Sequence, residues 1–252
     1  MKLINIPWVK WFDEAKVTQP IFYTLSGSHL YGFNSKDSDY DIRGCHIESL
    51  PKVIGVSGYH EVREKTIDKD IDFVSFDIAK EIKLILANNS NVLEHWSGKA
   101  IYKSEPYKEL KPLVEKSISK LVAKPYWGMA QHNLHKYLRT YNESYREAPV
   151  KKYLYVLRAY MAGIYVLDTG IIEPNIVKLN KMRKFQIDVV DELVKLKQQG
   201  KEKDFINGHP DAEETINKLQ KMFKESEEAS TLPATPNTYS ELNKFLIKWR
   251  LK

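Results

Sequence analysis

The sequence predicts an α/β (α+β) fold, with strands and helices in the N-terminal half and a mainly helical C-terminal half. Segments with the residue types of β-strands occur only before about residue 108. From there to the end, apolar residues recur at helical spacing. The 252 residues are 42% hydrophobic and 29% charged, which is typical of a globular chain with one large domain or two small ones. We therefore expect one domain at 1–115 and a helical domain at 116–252.

The N-terminal half contains three segments that we interpret as strands. An amphipathic helix is predicted at 8–17, and the β-branched and aromatic run 21–25 predicts the first strand. Alternating polar and apolar residues predict a second strand at 39–47 and a third at 70–76. Because Asp77 follows directly and precedes an apolar helical face, we expect it to be a helix N-cap.

Helices dominate the remaining sequence. The spacing predicts a long helix at 151–168 that ends near Gly170. The mixed charges of 195–230 predict solvated helices, and an exposed face is the simpler interpretation of them than a binding patch. Thr238 and Glu241 have the spacing of a capping box for a last helix.

Charge and cysteine content restrict the functional classes. The 39 Lys and Arg residues exceed the 33 Asp and Glu residues and give a net charge of +6, which is compatible with nucleic acid or nucleotide partners. The single cysteine, Cys45, excludes an internal disulfide and a zinc site built from several cysteines. No apolar run is long enough to span a membrane, and the N-terminus lacks the apolar stretch of a signal peptide. We expect a cytoplasmic protein without a membrane partner.

The segment Gly27-Ser28 has the features of a phosphate-binding turn. It follows the first predicted strand and precedes a short helix predicted at 29–33. Such a turn offers backbone N–H groups, a hydroxyl and a helix N-terminus to phosphate oxygens. Glycine also lets a phosphate approach the backbone closely. We therefore expect Gly27 and Ser28 to contact phosphate groups.

Two aspartates on the second predicted strand are candidate metal ligands. Asp39 and Asp41 are two residues apart, so their side chains lie on one face with Cα atoms ~6.6 Å apart. Carboxylates at this spacing can bind a pair of Mg²⁺ or Mn²⁺ ions that acts in phosphoryl transfer. Asp72 is the best third carboxylate, as a metal ligand or as the base that takes a proton from an attacking hydroxyl. Asp70 and Asp77 remain alternatives for that third role.

One face of the helix at 151–168 carries candidate nucleotide-binding residues. These cationic and aromatic side chains could neutralise phosphates and stack on a base, and they are Lys151, Lys152, Tyr155 and Arg158. The alternative is an ordinary solvated helix surface.

Several stretches together resemble the DNA polymerase β-like nucleotidyltransferase superfamily. The signature consists of Ser26-Gly27-Ser28-His29-Leu30-Tyr31-Gly32-Phe33 followed by Asp37-Ser38-Asp39-Tyr40-Asp41-Ile42-Arg43-Gly44. Within the superfamily, the chain is similar to a bacterial and phage group of nucleotidyltransferases of an RNA repair pathway. Further support comes from Asn91-Val92-Leu93-Glu94-His95-Trp96, Trp127-Gly128-Met129-Ala130 and the segment 151–158. The sequence departs from the group at Asn89-Ser90, where the group has Asn-Pro, and the resemblance covers residues 20–180.

The resemblance implies an activity and a distribution of roles. It implies a polymerase β-like core with a mixed sheet at 1–115 and a helical nucleotide- and acceptor-binding domain at 116–252. The reaction would transfer a nucleoside monophosphate from an NTP, such as ATP, to an acceptor hydroxyl and release pyrophosphate, with two Mg²⁺ or Mn²⁺ ions. The acceptor would be an RNA end, in tRNA or in RNA under repair. The implied triphosphate-binding residues are Gly27, Ser28 and Ser38, and the implied catalytic and metal-binding residues are Asp39, Asp41 and Asp72.

Two other functions are compatible with the same residues. The first is the same chemistry on a small molecule or a protein side chain. The second is a non-catalytic protein that binds nucleotides or RNA. The second is disfavoured because a pure binder has no need to keep three carboxylates beside phosphate groups.

Overall fold

The computed structural model describes residues 7–67, 70–139, 147–200, 205–206 and 209–252. The chain divides into two compact units. The sheet unit comprises the described residues within Met1–Gly27, Asp39–Ser117 and Pro236–Lys252. The helical unit comprises those within Ser28–Ser38 and Ile118–Thr235. The functional division at residue 115 stays a prediction, while the α+β class with a helical C-terminal region is confirmed.

A five-stranded mixed sheet forms the centre of the sheet unit. Its strands are β1 (Pro20–Leu25), β2 (Tyr40–His46), β3 (Val62–Ile67), β4 (Ile71–Asp77) and β5 (Ala100–Lys103). They lie in the order β3-β4-β2-β1-β5. β2 and β4 pair in parallel, and the other neighbours pair antiparallel. As a result, β2 and β4 begin at the same edge of the sheet, and β1 ends there.

Helices cover both faces of this sheet. They are α1 (Trp8–Glu14), α3 (Leu50–Ile54), α4 (Ile78–Leu86), α5 (Ser90–Ser97), α6 (Glu105–Lys116) and α12 (Tyr239–Arg250). On one face, Trp11 and Phe12 of α1 pack with Tyr23, Ile42 and Phe73 of the strands in a buried cluster. On the other face, Phe22 of β1 contacts the ring of Trp96 from α5, with ring centroids 3.9 Å apart. Burial of these aromatic rings stabilises the sheet on both faces.

The three predicted strands are confirmed within one or two residues as β1, β2 and β4. The N-cap prediction is also confirmed, because Asp77 Oδ1 accepts a hydrogen bond of 2.9 Å from the backbone N–H of Ala79. The sequence did not reveal β3 or β5. β3 is an edge strand with exposed charged residues, and β5 is an edge strand of only four residues, too short to show a strand pattern.

A buried ion pair connects α12 with the sheet. Arg250 Nη2 donates to Asp77 at 2.8 Å, and the two side chains are 7% and 0% exposed. The predicted capping box at the start of α12 is wrong: the Thr238 hydroxyl makes no cap hydrogen bond, and it pairs with Ser117 Oγ instead. Glu241 pairs with Lys116 at 2.8 Å, so its carboxylate is held by a lysine of α6.

Helices make up most of the helical unit. They are α2 (Gly27–Tyr31, of which Gly27 is assigned to the sheet unit), α7 (Ala123–Asn133), α8 (Val150–Thr169), α9 (Ile176–Asn180), α10 (Asp188–Gln198) and α11 (Pro210–Ala229). A short 3-10 turn precedes α7, a π-helical turn follows it, and two short strands, β6 (Ala148–Pro149) and β7 (Phe205–Ile206), form an antiparallel pair. The predicted helix at 151–168 corresponds to α8, which ends at Gly170 in the left-handed conformation, φ 72°. No helix in the described part of the chain is long and apolar enough to cross a membrane.

Candidate active site

The phosphate-binding turn predicted at Gly27 lies directly beside Asp41. β1 ends at Leu25, and the next backbone N–H, of Ser26, donates to the Asp41 carbonyl oxygen at 2.7 Å. Gly27 has a φ of +59°, and a Cβ built on it would lie 2.0 Å from Asp41 Oδ2. A side chain at this position would therefore collide with the carboxylate, and the left-handed backbone would add strain. Glycine is required here for two independent reasons.

Asp41 and Asp72 are direct neighbours on adjacent strands. In the parallel pairing of β2 with β4, Asp41 stands opposite Asp72. The two side chains are 33% and 50% exposed, so both can be reached from solvent. The sheet therefore brings two of the three predicted carboxylates together near the turn at Gly27.

Arg43 binds both of these carboxylates. Its Nη2 donates to Asp41 Oδ1 at 2.8 Å and to Asp72 Oδ2 at 2.6 Å. Its Nη1 donates to the carbonyl oxygens of Ile42 at 3.1 Å and Asp72 at 2.7 Å. Charge-assisted hydrogen bonds of this kind are among the strongest that a protein forms. The guanidinium thus bridges β2 and β4 through both side chains and backbone.

A buried histidine lies close enough to Arg43 to be influenced by its charge. His95, on α5, is 7% exposed. Burial, and after it the positive charge of Arg43, lowers the pKa of His95 to about 3. The imidazole is therefore neutral at physiological pH and adds no second positive charge near Arg43.

The other candidate carboxylates have different surroundings. Asp39 is exposed and immediately precedes β2. Asp70 is exposed and immediately precedes β4, and its carbonyl oxygen accepts a hydrogen bond from Tyr40 N at 2.7 Å. Asp77 is buried, caps α4 and pairs with Arg250. Of the three candidates for the third role, Asp72 is the one that stands opposite Asp41.

The chemistry of these donors fits a magnesium-type cation. Carboxylate oxygens are the hard ligands that Mg²⁺ and Mn²⁺ prefer. Asp41 and Asp72 already share one cationic group, the Arg43 guanidinium. Within the described ranges, no three or more His, Cys, Asp and Glu side chains form a preassembled metal cluster. Mg²⁺ usually binds through one or two carboxylates together with substrate phosphates and water, so such a cluster is not needed.

The helical unit contains the remaining predicted nucleotide-binding residues. Ser28 belongs to α2, and its carbonyl oxygen accepts hydrogen bonds from the N–H groups of Gly32 and Phe33. Ser38 Oγ accepts a hydrogen bond from Ser35 N at 2.9 Å. The Ser38 hydroxyl therefore stabilises the turn at 35–38, which leads directly to Asp39.

The four predicted residues of α8 differ in accessibility. Lys151, Lys152 and Tyr155 are partly exposed, whereas Arg158 is 0% exposed. The Arg158 guanidinium carbon lies 3.7 Å from the centroid of the Tyr31 ring. α8 is buried around most of its circumference, so a residue at the i+7 position from Lys151 lies inside the helical unit.

The sequence of the chain matches a known family over nearly its whole length. Residues 9–248 match the family described as RlaP, RNA repair pathway DNA polymerase beta family. The chain belongs to this RNA repair polymerase β family. The predicted membership is thereby confirmed, and it supports nucleotidyl transfer in RNA repair as the general class of activity.

Two curated relatives extend this family match. The chain is 32% identical over 216 residues to the uncharacterized protein MJ0002 of Methanocaldococcus jannaschii, an alignment that covers 84% of this chain and 83% of the archaeal protein. It is 27% identical over 179 residues to the uncharacterized protein YcgL of Bacillus subtilis, covering 69% and 66% of the two chains.

Arg43 was not among the site residues predicted from the sequence of this member of the RNA repair polymerase β family. A signal for it was present, because Asp41 and Arg43 are two residues apart on the second strand and alternate residues of a strand share a face. The signal was incomplete because the register between β2 and β4, which brings Asp72 within reach, cannot be read from a single strand.

Proposed function

We propose that the protein is a metal-dependent nucleotidyltransferase that moves a nucleoside monophosphate from an NTP to the hydroxyl of an RNA end and releases pyrophosphate. The observation that carries this proposal is the position of Gly27, Asp41 and Asp72 at one edge of the sheet. Family membership supports the reaction class.

Asp39, Asp41 and Asp72 would hold two Mg²⁺ or Mn²⁺ ions. Such ions, when bound, stabilise the charge that develops on the attacking and leaving oxygens of a phosphoryl transfer. Asp39 directly precedes β2, is exposed and lies two residues from Asp41, so we assign it as the second ligand from this segment. Asp72, which is 50% exposed, is accessible to an incoming acceptor hydroxyl. It is our candidate for the base that accepts the hydroxyl proton.

The backbone at Gly27 and Ser28 would bind the triphosphate. Because Gly27 has no Cβ, the Asp41 carboxylate lies directly against this backbone, so phosphate groups bound by the turn would lie next to that carboxylate. The hydroxyl of Ser38 would act through the turn that it stabilises ahead of Asp39. Both roles keep phosphate oxygens near the carboxylates that bind the metal ions.

On α8, we assign nucleotide contacts to the two partly exposed lysines and to the aromatic ring. Lys151 and Lys152 would neutralise phosphate charge, and Tyr155 would offer a ring face or edge to a base. Arg158 is fully buried, so we propose that it acts indirectly, by packing on Tyr31 of α2. Substitution of Arg158 would then impair the packing of α2 in addition to any nucleotide affinity.

The proposal is tested by incubating the protein with Mg²⁺, each α-labelled NTP and a pool of RNA. Label should appear in RNA for the wild type and disappear for Asp39→Asn and Asp41→Asn. Asp13→Asn, on the exposed side of α1, is the matched control and should retain full transfer. Unchanged circular dichroism and melting temperature would show that the inactive variants are folded. Transfer that persists in both active-site variants would refute the assignment of the metal ligands.

The acceptor is tested separately through salt dependence. Basic residues that contact RNA phosphates release counterions, so RNA binding should weaken steeply as salt rises. RNA binding that is absent or insensitive to salt, in a protein that still releases pyrophosphate, would favour a small molecule or a protein as acceptor.

A further inference from the structure

Arg43 lies between the carboxylates of Asp41 and Asp72 and forms an ion pair with each of them. Its side chain is 18% exposed, while those of Asp41 and Asp72 are 33% and 50% exposed. The guanidinium therefore lies deeper than the carboxylates that it binds. A cation that holds two acidic groups from below is suited to orient them toward solvent.

We propose that Arg43 is a positioning residue that holds Asp41 and Asp72 in the orientation in which they bind divalent cations. This inference rests on the proposed function, because it concerns the same carboxylates. Arg43 itself touches neither the nucleotide nor the acceptor in this account.

Arg43 is anchored independently of the carboxylates. Two of its hydrogen bonds go to backbone carbonyl oxygens, of Ile42 on β2 at 3.1 Å and of Asp72 on β4 at 2.7 Å. These carbonyls belong to strands whose positions are fixed by the parallel pairing. Arg43 therefore keeps its place when the carboxylates receive another cation.

Arg43 binds one particular oxygen of each carboxylate. It takes Oδ1 of Asp41 and Oδ2 of Asp72. The other oxygen of Asp41, Oδ2, lies on the side of Gly27, where a built Cβ would come within 2.0 Å of it. The hydrogen bond to Oδ1 thus turns Oδ2 toward the turn that we assign to the triphosphate. Residues that orient metal ligands in this way typically change metal affinity by about 10-fold to 100-fold when they are replaced.

The charge of Arg43 suggests an alternative role, which is to balance the acidic charge of the two carboxylates. A fixed positive charge a few ångströms from a cation site repels the cation. If Arg43 served only to balance the acidic charge before the metal arrives, its removal would make metal binding tighter. If its orienting role dominates, removal makes metal binding weaker. The two accounts predict opposite signs.

A lysine cannot replace this arrangement. The planar guanidinium donates from two nitrogens in fixed directions, whereas the lysine ammonium is a single point of charge on a flexible stem. Arg43→Lys keeps the charge and loses the simultaneous contacts with two carboxylates and two carbonyls. It therefore separates the effect of charge from the effect of geometry.

The experiment is a titration of the full-length protein with Mn²⁺, in which free Mn²⁺ is measured by electron paramagnetic resonance. The proteins are wild type, Asp41→Asn, Arg43→Gln, Arg43→Lys and Arg63→Gln. Arg63 is the matched control, because it pairs with a buried glutamate of the sheet unit at 2.7 Å and its side chain is 14% exposed. Thermal unfolding of each variant shows which proteins are folded.

We expect Arg43→Gln to weaken Mn²⁺ binding by about 10-fold to 100-fold and Arg43→Lys to remain at least about 10-fold weaker than wild type. Arg63→Gln should bind like the wild type. Suppose that Asp41→Asn loses Mn²⁺ binding as expected. Mn²⁺ binding by folded Arg43→Gln that equals or exceeds that of the wild type, or wild-type binding by Arg43→Lys, would then overturn the inference. A wild type that binds no better than Asp41→Asn would instead contradict the proposed function.

Discussion

The substitution Gly27→Ala adds one methyl group beside Asp41 and leaves every other side chain unchanged. The new Cβ would lie 2.0 Å from Asp41 Oδ2 and 3.0 Å from Asp41 Cγ. Ordinary van der Waals contact begins at 3.4 Å, so the carboxylate must retreat by about 3.4 − 2.0 = 1.4 Å. Since Asp41 Oδ1 is bound to Arg43 at 2.8 Å, this retreat disturbs that ion pair.

The expected cost has two parts. The left-handed backbone at φ +59° costs an alanine about 1–2 kcal/mol. The disturbed hydrogen bond to a charged group adds about 1.5 kcal/mol, the lower end of its usual range because Asp41 is one-third exposed. The free energy of unfolding should therefore fall by about 2.5–3.5 kcal/mol. A displacement of this size at a catalytic group should reduce nucleotidyl transfer by about 100-fold.

Urea unfolding and the transfer assay measure these two effects, and Gly58→Ala is the matched control. Gly58 also has a positive φ, +66°, but a Cβ there meets no atom within 4 Å. Gly58→Ala should lose only the backbone part, about 1–2 kcal/mol, and keep full activity. Equal destabilisation by the two substitutions, with activity retained in Gly27→Ala, would refute the argument that Gly27 exists to accommodate Asp41.

Three further predictions concern the stability of the two units. Burial raises the pKa of Glu81 to about 8, so the folded protein keeps it neutral while the unfolded chain ionises above its ordinary value of 4.5. As pH rises from 5 to 8, the free energy of unfolding of the wild type, measured with urea, should therefore fall relative to that of Glu81→Gln by on the order of 4 kcal/mol. A difference between the two proteins that does not change with pH would contradict this. Arg250→Met leaves the buried Asp77 carboxylate without its guanidinium and should cost about 3–5 kcal/mol by the same assay, and a loss below about 1 kcal/mol would contradict the buried pair. Gly163→Ala would place a Cβ 2.2 Å from a phenylalanine ring of α11 and should cost about 1–3 kcal/mol. Gly128→Ala, in α7 with open space around it, should gain up to about 1 kcal/mol, and the same sign for both would refute the packing argument.

Much of the fold could be predicted because local patterns and tertiary structure agree. The three predicted strands carry β-branched and aromatic residues, and the side chain of Asp77 caps the helix that follows it. β3 could not be predicted, because its charged residues are those of an exposed edge and its pairing with β4 depends on the rest of the sheet. The capping box at Thr238 failed for a related reason: Ser117, distant in sequence, offers its hydroxyl a partner.

In the candidate site, too, local features could be predicted from the sequence, whereas features that depend on tertiary structure could not. The two-residue spacing of Asp39 and Asp41 is a local property that the sequence alone shows, although only Asp41 lies within β2. The juxtaposition of Asp41 with Asp72 and the bridge through Arg43 depend on the register of two parallel strands. The burial of Arg158 depends on the elements that pack around most of α8. The spacing of residues along the helix does not show that packing.

The central claim, that this protein transfers a nucleoside monophosphate, is tested most directly by the position of the label in the NTP. Wild type, Asp41→Asn and the control Asp13→Asn are incubated with Mg²⁺, RNA and ATP that is labelled at either the α- or the γ-phosphate. The same reactions are then repeated with each of the other NTPs in place of ATP. Our account predicts that the α-label enters RNA, that the γ-label leaves in pyrophosphate, and that Asp41→Asn alone loses both. Transfer of the γ-label to the acceptor, or undiminished transfer by Asp41→Asn, would contradict it.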